Sequence, residues 1–153
     1  RYMCDSHIVK MPLESAQMLC TAHNHYGSYH PSFYGISHPH HPWTLWTRYT
    51  DSNYRWHFRL FVAMCQEYRL RFHKVLEVDW LLTDALQHPP ELINKGPLTP
   101  FPQAMSIEYR DHDIVRAYRN FYLGEKLHFS RWRYPGVTPS WVVDYLCGDF
   151  LPD

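Results

Sequence analysis

The sequence predicts a single all-α domain over residues 1–153, built from three or four helices with long loops between them. Apolar residues recur every three or four positions in several long segments, which is the spacing of a helix with one buried face. No segment shows the strict alternation of a half-buried strand, and no internal repeat is visible. A chain of 153 residues with 45% apolar residues is long enough to bury a core as one domain.

Residues 5–26 are predicted to form the first helix. Asp5 can cap its start, and Ile8 and Leu19 lie on an apolar stripe. Pro12 falls inside this pattern and lacks a backbone N–H, so we expect it to kink or split the helix. The following segment, residues 27–42, is a loop rich in Gly, Ser, Pro and His.

A second helix is predicted to start at Pro42, since proline suits the first helical turn. Asp51 and Ser52 then offer a new cap for a long amphipathic helix that reaches about residue 72. The apolar spacing of residues 75–87 predicts a shorter helix.

Residues 88–103 are too dense in proline for any regular element. Asp111 or Asp113 is predicted to cap a last long helix, whose apolar stripe runs to Phe129. Gly136 and Pro139 should interrupt the chain again before an aromatic tail, Trp141 to Phe150.

The composition excludes several classes of protein. No apolar run approaches 18 residues and no signal peptide is visible, so we expect no membrane partner. The basic and acidic residues number 15 each, so a nucleic-acid role must rest on a local basic patch. The 4 cysteines form no C-x-x-C pair, which favours buried free thiols over a disulfide framework or a zinc finger.

One face of the first helix carries groups capable of proton transfer. His7, Lys10 and Glu14 are spaced by three and four residues, so they share a face close to Asp5. An acid, a base and a cation together can move protons or hold an anionic substrate. The alternative is a solvated helix face with ordinary charge pairing.

Basic residues collect on the predicted last helix and just after it. Arg116 and Arg119 lie one turn apart, and Lys126 follows two turns later. With Trp141 nearby, this stripe suits phosphate contacts combined with base stacking. A surface of ion pairs is the alternative.

Two further segments are candidates for binding. Arg48 and Asn53 can make bidentate contacts to bases or phosphates, although residues near a helix start also serve as caps. The loop containing His40 and His41 offers imidazole ligands for a transition metal. It has no H-E-x-x-H pair and no cysteine at ligand spacing, so we predict no metal site.

Several short motifs resemble the bacteriophage pyrimidine-dimer DNA glycosylases. Cys4–Ile8, followed by Glu14 seven residues after His7, resembles the start of that family's first helix, Asp-x-His-Leu with a glutamate at the same spacing. Near the other end, Glu125–Leu127 and Pro139–Trp141 resemble its Glu-Lys-Ile and Pro-Thr-Trp. Three strings are also similar to uncharacterised phage members: D-x-H-x-V-K-M-x-L-E-x-A-Q from Asp5, H-P-x-x-x-W-x-R from His41, and Y-R-x-F-Y-x-x-E-K from Tyr118.

The resemblance implies a compact all-α enzyme that bends double-stranded DNA and flips out a base, with no cofactor. In that family the N-terminal amine attacks the sugar C1′ and forms a Schiff base. The glutamate matching Glu14 stabilises the charged sugar, and His7 would support DNA binding. The location implied is the cytoplasm of an infected bacterium. This chain has Leu13 and Gln17 where the family has phosphate-binding arginines. Only four residues precede Asp5, so we expect either that the start was processed or that an N-terminal segment is missing.

Our leading hypothesis is therefore a phage DNA glycosylase/lyase-like enzyme, acting in DNA repair on a flipped pyrimidine nucleotide. Two alternatives remain: an amino acid:DNA transferase in thymine hypermodification, and a non-catalytic DNA- or protein-binding or virion module. Oligomeric state is left open. The catalytic candidates are Glu14 and His7. The substrate-binding candidates are Asp5, Lys10, His41, Arg48, Asn53, Arg116, Arg119, Lys126 and Trp141.

Overall fold

Two long helices, α1 (Asp5–His25) and α3 (Asp51–Phe72), pack against each other and organise the molecule. The computed structural model describes residues 2–133 and 138–148. Four shorter helices complete this part of the chain: α2 (Pro42–Thr47), α4 (Glu77–Leu82), α5 (Ile114–Phe121) and α6 (Ser140–Cys147). The described residues contain no strand, and the all-α prediction is confirmed.

The start of α1 differs from the prediction. Cys4 occupies the cap position and Asp5 is the first helical residue. The Asp5 carboxylate instead accepts hydrogen bonds from Arg71 Nη1 at 3.1 Å and from the backbone N–H of Arg133 at 2.8 Å. Pro12 does not split α1, which runs unbroken from Asp5 to His25.

Caps determine where α2 and α3 begin. Pro42 opens α2 as predicted. Thr50, rather than Asp51, caps α3: its Oγ1 accepts a hydrogen bond from Asn53 N at 3.2 Å. Asp51 is the first residue of α3 and accepts from Gly96 N at 3.0 Å. The predicted helix at 75–87 is shorter in the structure, spanning Glu77–Leu82.

Apolar residues of α1, α3 and α4 form the main core, and buried polar side chains within it bond to one another. Thr47 Oγ1 donates to the Trp43 carbonyl at 2.7 Å, so His57 Nδ1–H must donate to Thr47 at 2.6 Å. His57 Nε2 then accepts from the Ser15 hydroxyl at 3.1 Å. This chain of hydrogen bonds joins α1, α2 and α3.

The predicted last long helix is broken in the structure. Asp113 caps α5 by accepting from the backbone N–H groups of Val115 and Arg116. The α-helix ends at Phe121, continues as a π turn, Tyr122–Lys126, and closes as a 3₁₀ turn, Leu127–Phe129. A second small core cluster joins this region to α6 through Leu123, Trp141 and Val142.

The remaining predictions concern the cysteines and the tail. All four thiols are free; Cys4, Cys20 and Cys65 are buried, whereas Cys147 is exposed. The aromatic tail is helical as α6, while Gly136 and residues 149–150 lie outside the described part of the chain. Among the described helices, none is both long and apolar enough to cross a membrane.

Candidate functional site

A cavity of about 760 Å³ lies where the start of α1 meets α2, α3 and the C-terminal elements. Its volume is in the range of pockets that enclose a drug-sized ligand. Phenylalanine, tyrosine and tryptophan make up half of the residues that line it. They are Tyr2, Trp43, Trp56, Phe101, Tyr118, Phe121, Tyr122 and Trp141.

The α2–α3 side of the wall is held by ring contacts and hydrogen bonds. Trp43 and Trp56 are stacked with centroids 6.1 Å apart, and Phe101 lies 4.6 Å from Trp56. Trp43 Nε1 donates to Tyr118 Oη at 2.9 Å, and that hydroxyl donates to the Pro102 carbonyl at 2.8 Å. The rings are thus fixed before a ligand binds.

Two cations line the same cavity. Arg119 lies over the Trp141 ring at 5.8 Å, and the Lys126 ammonium lies over Phe121 at 4.9 Å. Neither has a carboxylate within ion-pair distance among the described residues. Arg116 differs, because its guanidinium binds the Asp111 carboxylate through two bonds of 2.8 and 3.0 Å. The predicted basic stripe is therefore divided, and only Arg119 and Lys126 line the cavity.

His7 also lines the cavity, and its ring is fixed by neighbours from the C-terminal part of the chain. Its Nδ1 lies 3.0 Å from Tyr122 Oη, which accepts the backbone N–H of Cys4 at 2.8 Å. Tyr122 and Phe129 meet the ring edge-on. Burial lowers the pKa of His7, and the positive charge of Lys126 lowers it further, against the opposing effect of Glu14.

Glu14 stands beside the cavity rather than in its wall. Its carboxylate binds Lys10 Nζ at 2.9 Å, and its side chain is 30% exposed. Burial lowers the pKa of His7 and of His41, and the negative charge of Glu14 opposes that shift in both. The structure places His7, Arg119 and Lys126 at one cavity, but not Glu14 with them in the wall.

Asp5 and Asn53 have structural partners instead of free polar groups. Asn53 is fully buried: its amide donates to the Trp46 carbonyl at 2.9 Å and Thr99 Oγ1 at 2.8 Å, and accepts from Thr99 N at 2.9 Å. Asp5 is occupied by Arg71 and by backbone, as described above. The prediction that Asn53 contacts a substrate is wrong, because every polar atom of its amide is used inside the fold.

Arg48 and His41 also lie outside the cavity wall. Arg48 approaches His25 Nδ1 at 3.4 Å, and His41 caps α2 by accepting from Trp43 N at 3.2 Å. Burial lowers the pKa of His41. Within residues 2–133 and 138–148, no three His, Cys, Asp or Glu side chains are placed to hold a metal ion.

Sequence reasoning missed most of the aromatic wall. Trp43, Trp56 and Tyr122 lie in segments predicted as helices, where aromatic residues are typical of a packed face. Phe101 lies in the Pro-rich segment, for which no element was predicted. The available signal was the pair of tryptophans among the six residues of α2.

Fold and site together define an all-α domain with an aromatic cavity and cations at its wall. No family model, curated protein or solved structure matches the chain.

Proposed function

We propose that this protein binds double-stranded DNA and takes one extruded nucleotide into the aromatic cavity. The observation that carries this proposal is the combination of a stacked aromatic wall with two cations that lack carboxylate partners among the described residues. Base stacking on aromatic side chains contributes about 1–3 kcal/mol per base. Lysine and arginine at the same site supply contacts to phosphate.

Additional cations lie next to this cavity and favour a polyanion over a small neutral ligand. The segment carrying Arg131 and Arg133 is bonded to residues 2–5: Asp5 N donates to the Arg131 carbonyl at 2.8 Å, and Trp132 Nε1 donates to the Tyr2 carbonyl at 3.3 Å. Tyr2 and Met3 line the cavity. We infer that the DNA backbone crosses this edge, with Arg119 and Lys126 closest to the extruded nucleotide.

The chemistry that we propose is base excision through an imine. A deprotonated amine attacks C1′ as the bond to the base breaks; the base departs with the bonding electron pair and takes up a proton, and opening of the sugar ring gives the imine. As the resemblance implies, Glu14 would stabilise the charged sugar and move protons; its carboxylate, bound to Lys10 outside the cavity wall, would have to turn toward the cavity that His7 lines. Among the described residues that line the cavity, Lys126 supplies the one primary amine.

DNA binding is tested with matched arginine variants. We expect Arg119→Gln to weaken binding to a duplex about tenfold and to reduce the salt slope by about 1, because one phosphate contact is lost. Arg116→Gln is the control, since Arg116 is exposed on the same helix but bound to Asp111. Equal losses in both variants, or no binding by the wild type at low salt, would contradict the proposed site.

Base extrusion is tested with a duplex that contains 2-aminopurine. We expect its fluorescence to change on binding and Trp56→Leu to abolish most of that change, since one stacking partner is removed. Trp80→Leu is the control, because Trp80 is 66% exposed on α4. An identical response in both variants would mean that the cavity takes no base.

Catalysis is tested by borohydride trapping on dimer-containing and abasic duplexes with the full chain. We expect a covalent adduct that is lost in Glu14→Gln and kept in Glu91→Gln, which alters an exposed carboxylate. Peptide mass spectrometry then identifies the attacking amine. Absence of any adduct would reject the imine reaction, and a mass gain on DNA nucleosides incubated with amino acids would favour the transferase alternative.

A further inference from the structure

The two ring nitrogens of His7 have different surroundings. Nδ1 faces Tyr122 Oη at 3.0 Å, on the side where the start of α1 meets the π turn. Because that nitrogen is occupied, the one left for a ligand in the cavity is Nε2. Which nitrogen carries the proton therefore decides whether His7 donates a hydrogen bond to a ligand or accepts a proton from it.

The proton on Tyr122 can be assigned from its partners. Cys4 N is a backbone donor, so Tyr122 Oη must accept that bond and keeps one proton to give. Ser130 also lies close; because its hydroxyl donates to the Lys126 carbonyl at 2.7 Å, it could only accept from Tyr122, and a neutral hydroxyl is a weaker acceptor than an imidazole nitrogen. The Cys4 thiol is a further neighbour, and sulfur is a weak acceptor. The imidazole nitrogen is the strongest acceptor within reach.

The surroundings of His7 favour its neutral form. Burial is the main cause of its lowered pKa; Lys126 and Lys10 add to the effect of burial, and Glu14 opposes it. Burial also raises the pKa of Tyr122, which keeps the phenol protonated and able to donate. Both Tyr122 and Lys126 belong to the π turn, a helix irregularity that is frequent at functional sites.

We propose that Tyr122 is a positioning residue that holds His7 as the neutral imidazole with its proton on Nε2. His7 then donates a hydrogen bond to an acceptor atom of the bound ligand, such as a phosphate or carbonyl oxygen. The identity of that acceptor rests on the proposed function, but the protonation state of His7 does not.

Nitrogen-15 NMR of the histidine-labelled full chain tests this at pH 7.5 without DNA. We expect the His7 Nε2 signal in the protonated range, the Nδ1 signal in the unprotonated range, and a hydroxyl proton correlated with Nδ1. Tyr122→Phe should lower the ratio of Nε2–H to Nδ1–H tautomers about tenfold, because the bond that favours one tautomer is lost. Tyr118→Phe is the control, since its hydroxyl bonds Trp43 and Pro102 instead.

A proton on Nδ1 in the wild type would overturn the proposal, and so would an unchanged ratio in Tyr122→Phe. If Tyr122→Phe does not fold, the wild-type tautomer decides the question alone. These spectra need no nucleic acid, so a wrong tautomer leaves the proposed function standing. In a second experiment the DNA duplex is titrated into the labelled protein. An unchanged His7 Nε2 signal would then count against the proposed function and not against the tautomer.

Discussion

The helical core of α1, α3 and α4 and the C-terminal part of the cavity wall, formed by α5, the π turn and α6, use polar residues in opposite ways. In the core, buried polar groups such as Asn53 and His57 are bonded within the fold. In the wall, Arg119 and Lys126 rest on aromatic faces and have no carboxylate partner among the described residues. A buried polar group without partners is costly, whereas a cation at a cavity keeps some hydration.

The contrast indicates where a ligand can bind. Few polar groups of the core are left to bind one: the bonds through His57 join α1, α2 and α3, and His23 Nδ1 and Thr44 Oγ1 are the buried side-chain atoms without a hydrogen-bond partner among the described residues. The wall retains cations, an imidazole and exposed ring faces around a volume that the fold leaves unfilled. Mutations and pH should therefore affect stability through the core and ligand binding through the wall.

The largest expected effect is the loss of stability in acid. Burial lowers the pKa of His57 and of His23 to about 4, compared with about 6.5 when unfolded. The unfolded chain binds protons first, so the stability from these groups is complete above pH 6.5 and is lost as the pH falls to about 4. Each contributes about 3 kcal/mol, measurable by urea unfolding across this range.

His57→Gln should remove about half of that pH dependence, and His40→Gln, at an exposed loop position, should leave it unchanged. A pH-independent free energy of unfolding between pH 6.5 and 4 would contradict the assignment of neutral, buried histidines to the core.

Arg71→Ala should destabilise the fold by about 3–5 kcal/mol, because it leaves two partly buried carboxylates unpaired. Arg71 binds Glu67 at 2.7 Å and Asp5 at 3.1 Å, and its side chain is 2% exposed. Chemical denaturation measures the change, with exposed Arg59→Ala as the control. A decrease in the free energy of unfolding below about 1 kcal/mol would show that the ion pairs of Arg71 with Glu67 and Asp5 do not anchor the start of α1.

Gly124→Ala should cost about 1 kcal/mol, because a Cβ at this position would lie 2.7 and 2.8 Å from Tyr109 Cε1 and Cζ. The displaced Tyr109 side chain would also lose the 3.1 Å hydrogen bond that its hydroxyl donates to Glu125 Oε1. In a Tyr109→Ala background the same change should be neutral or stabilising. Equal costs in both backgrounds would exclude this contact as the reason for glycine in the π turn.

Arg119→Gln should change the free energy of unfolding by about 0.5–1 kcal/mol at most, since the side chain is exposed, has no carboxylate partner among the described residues and loses a single cation–π contact with Trp141. Urea unfolding beside the duplex-binding assay separates the two effects. A large loss in the free energy of unfolding would show that Arg119 stabilises the fold as the core residues do, which would contradict the proposed difference between the two regions.

Local sequence patterns predicted much of the fold. The predicted bounds of α1 and α3 were close to the observed ones, because long amphipathic segments carry a strong periodic signal. Pro42 correctly predicted the start of α2. The split considered at Pro12 does not occur, since Pro12 lies buried within an uninterrupted α1. The last helix was predicted to be continuous, but it becomes a π turn where Tyr109 packs on Gly124.

The site could be predicted only in part. His7, Arg119, Lys126 and Trp141 are the expected site residues that line the cavity. Asn53 was also an expected site residue, but both polar atoms of its amide are bonded inside the fold. A polar residue near a helix start has the same local pattern whether it binds a ligand or the loop beside it.

By itself the sequence determined the helical class, the two long helices and the presence of unusually many aromatic residues, because these follow from local periodicity and composition. Tertiary structure alone decided which cations lack a carboxylate and which rings enclose a cavity. Trp43 and Tyr118 meet across 75 positions of sequence, and His7 and Tyr122 across 115. Such contacts depend on how the helices pack, which no local pattern specifies.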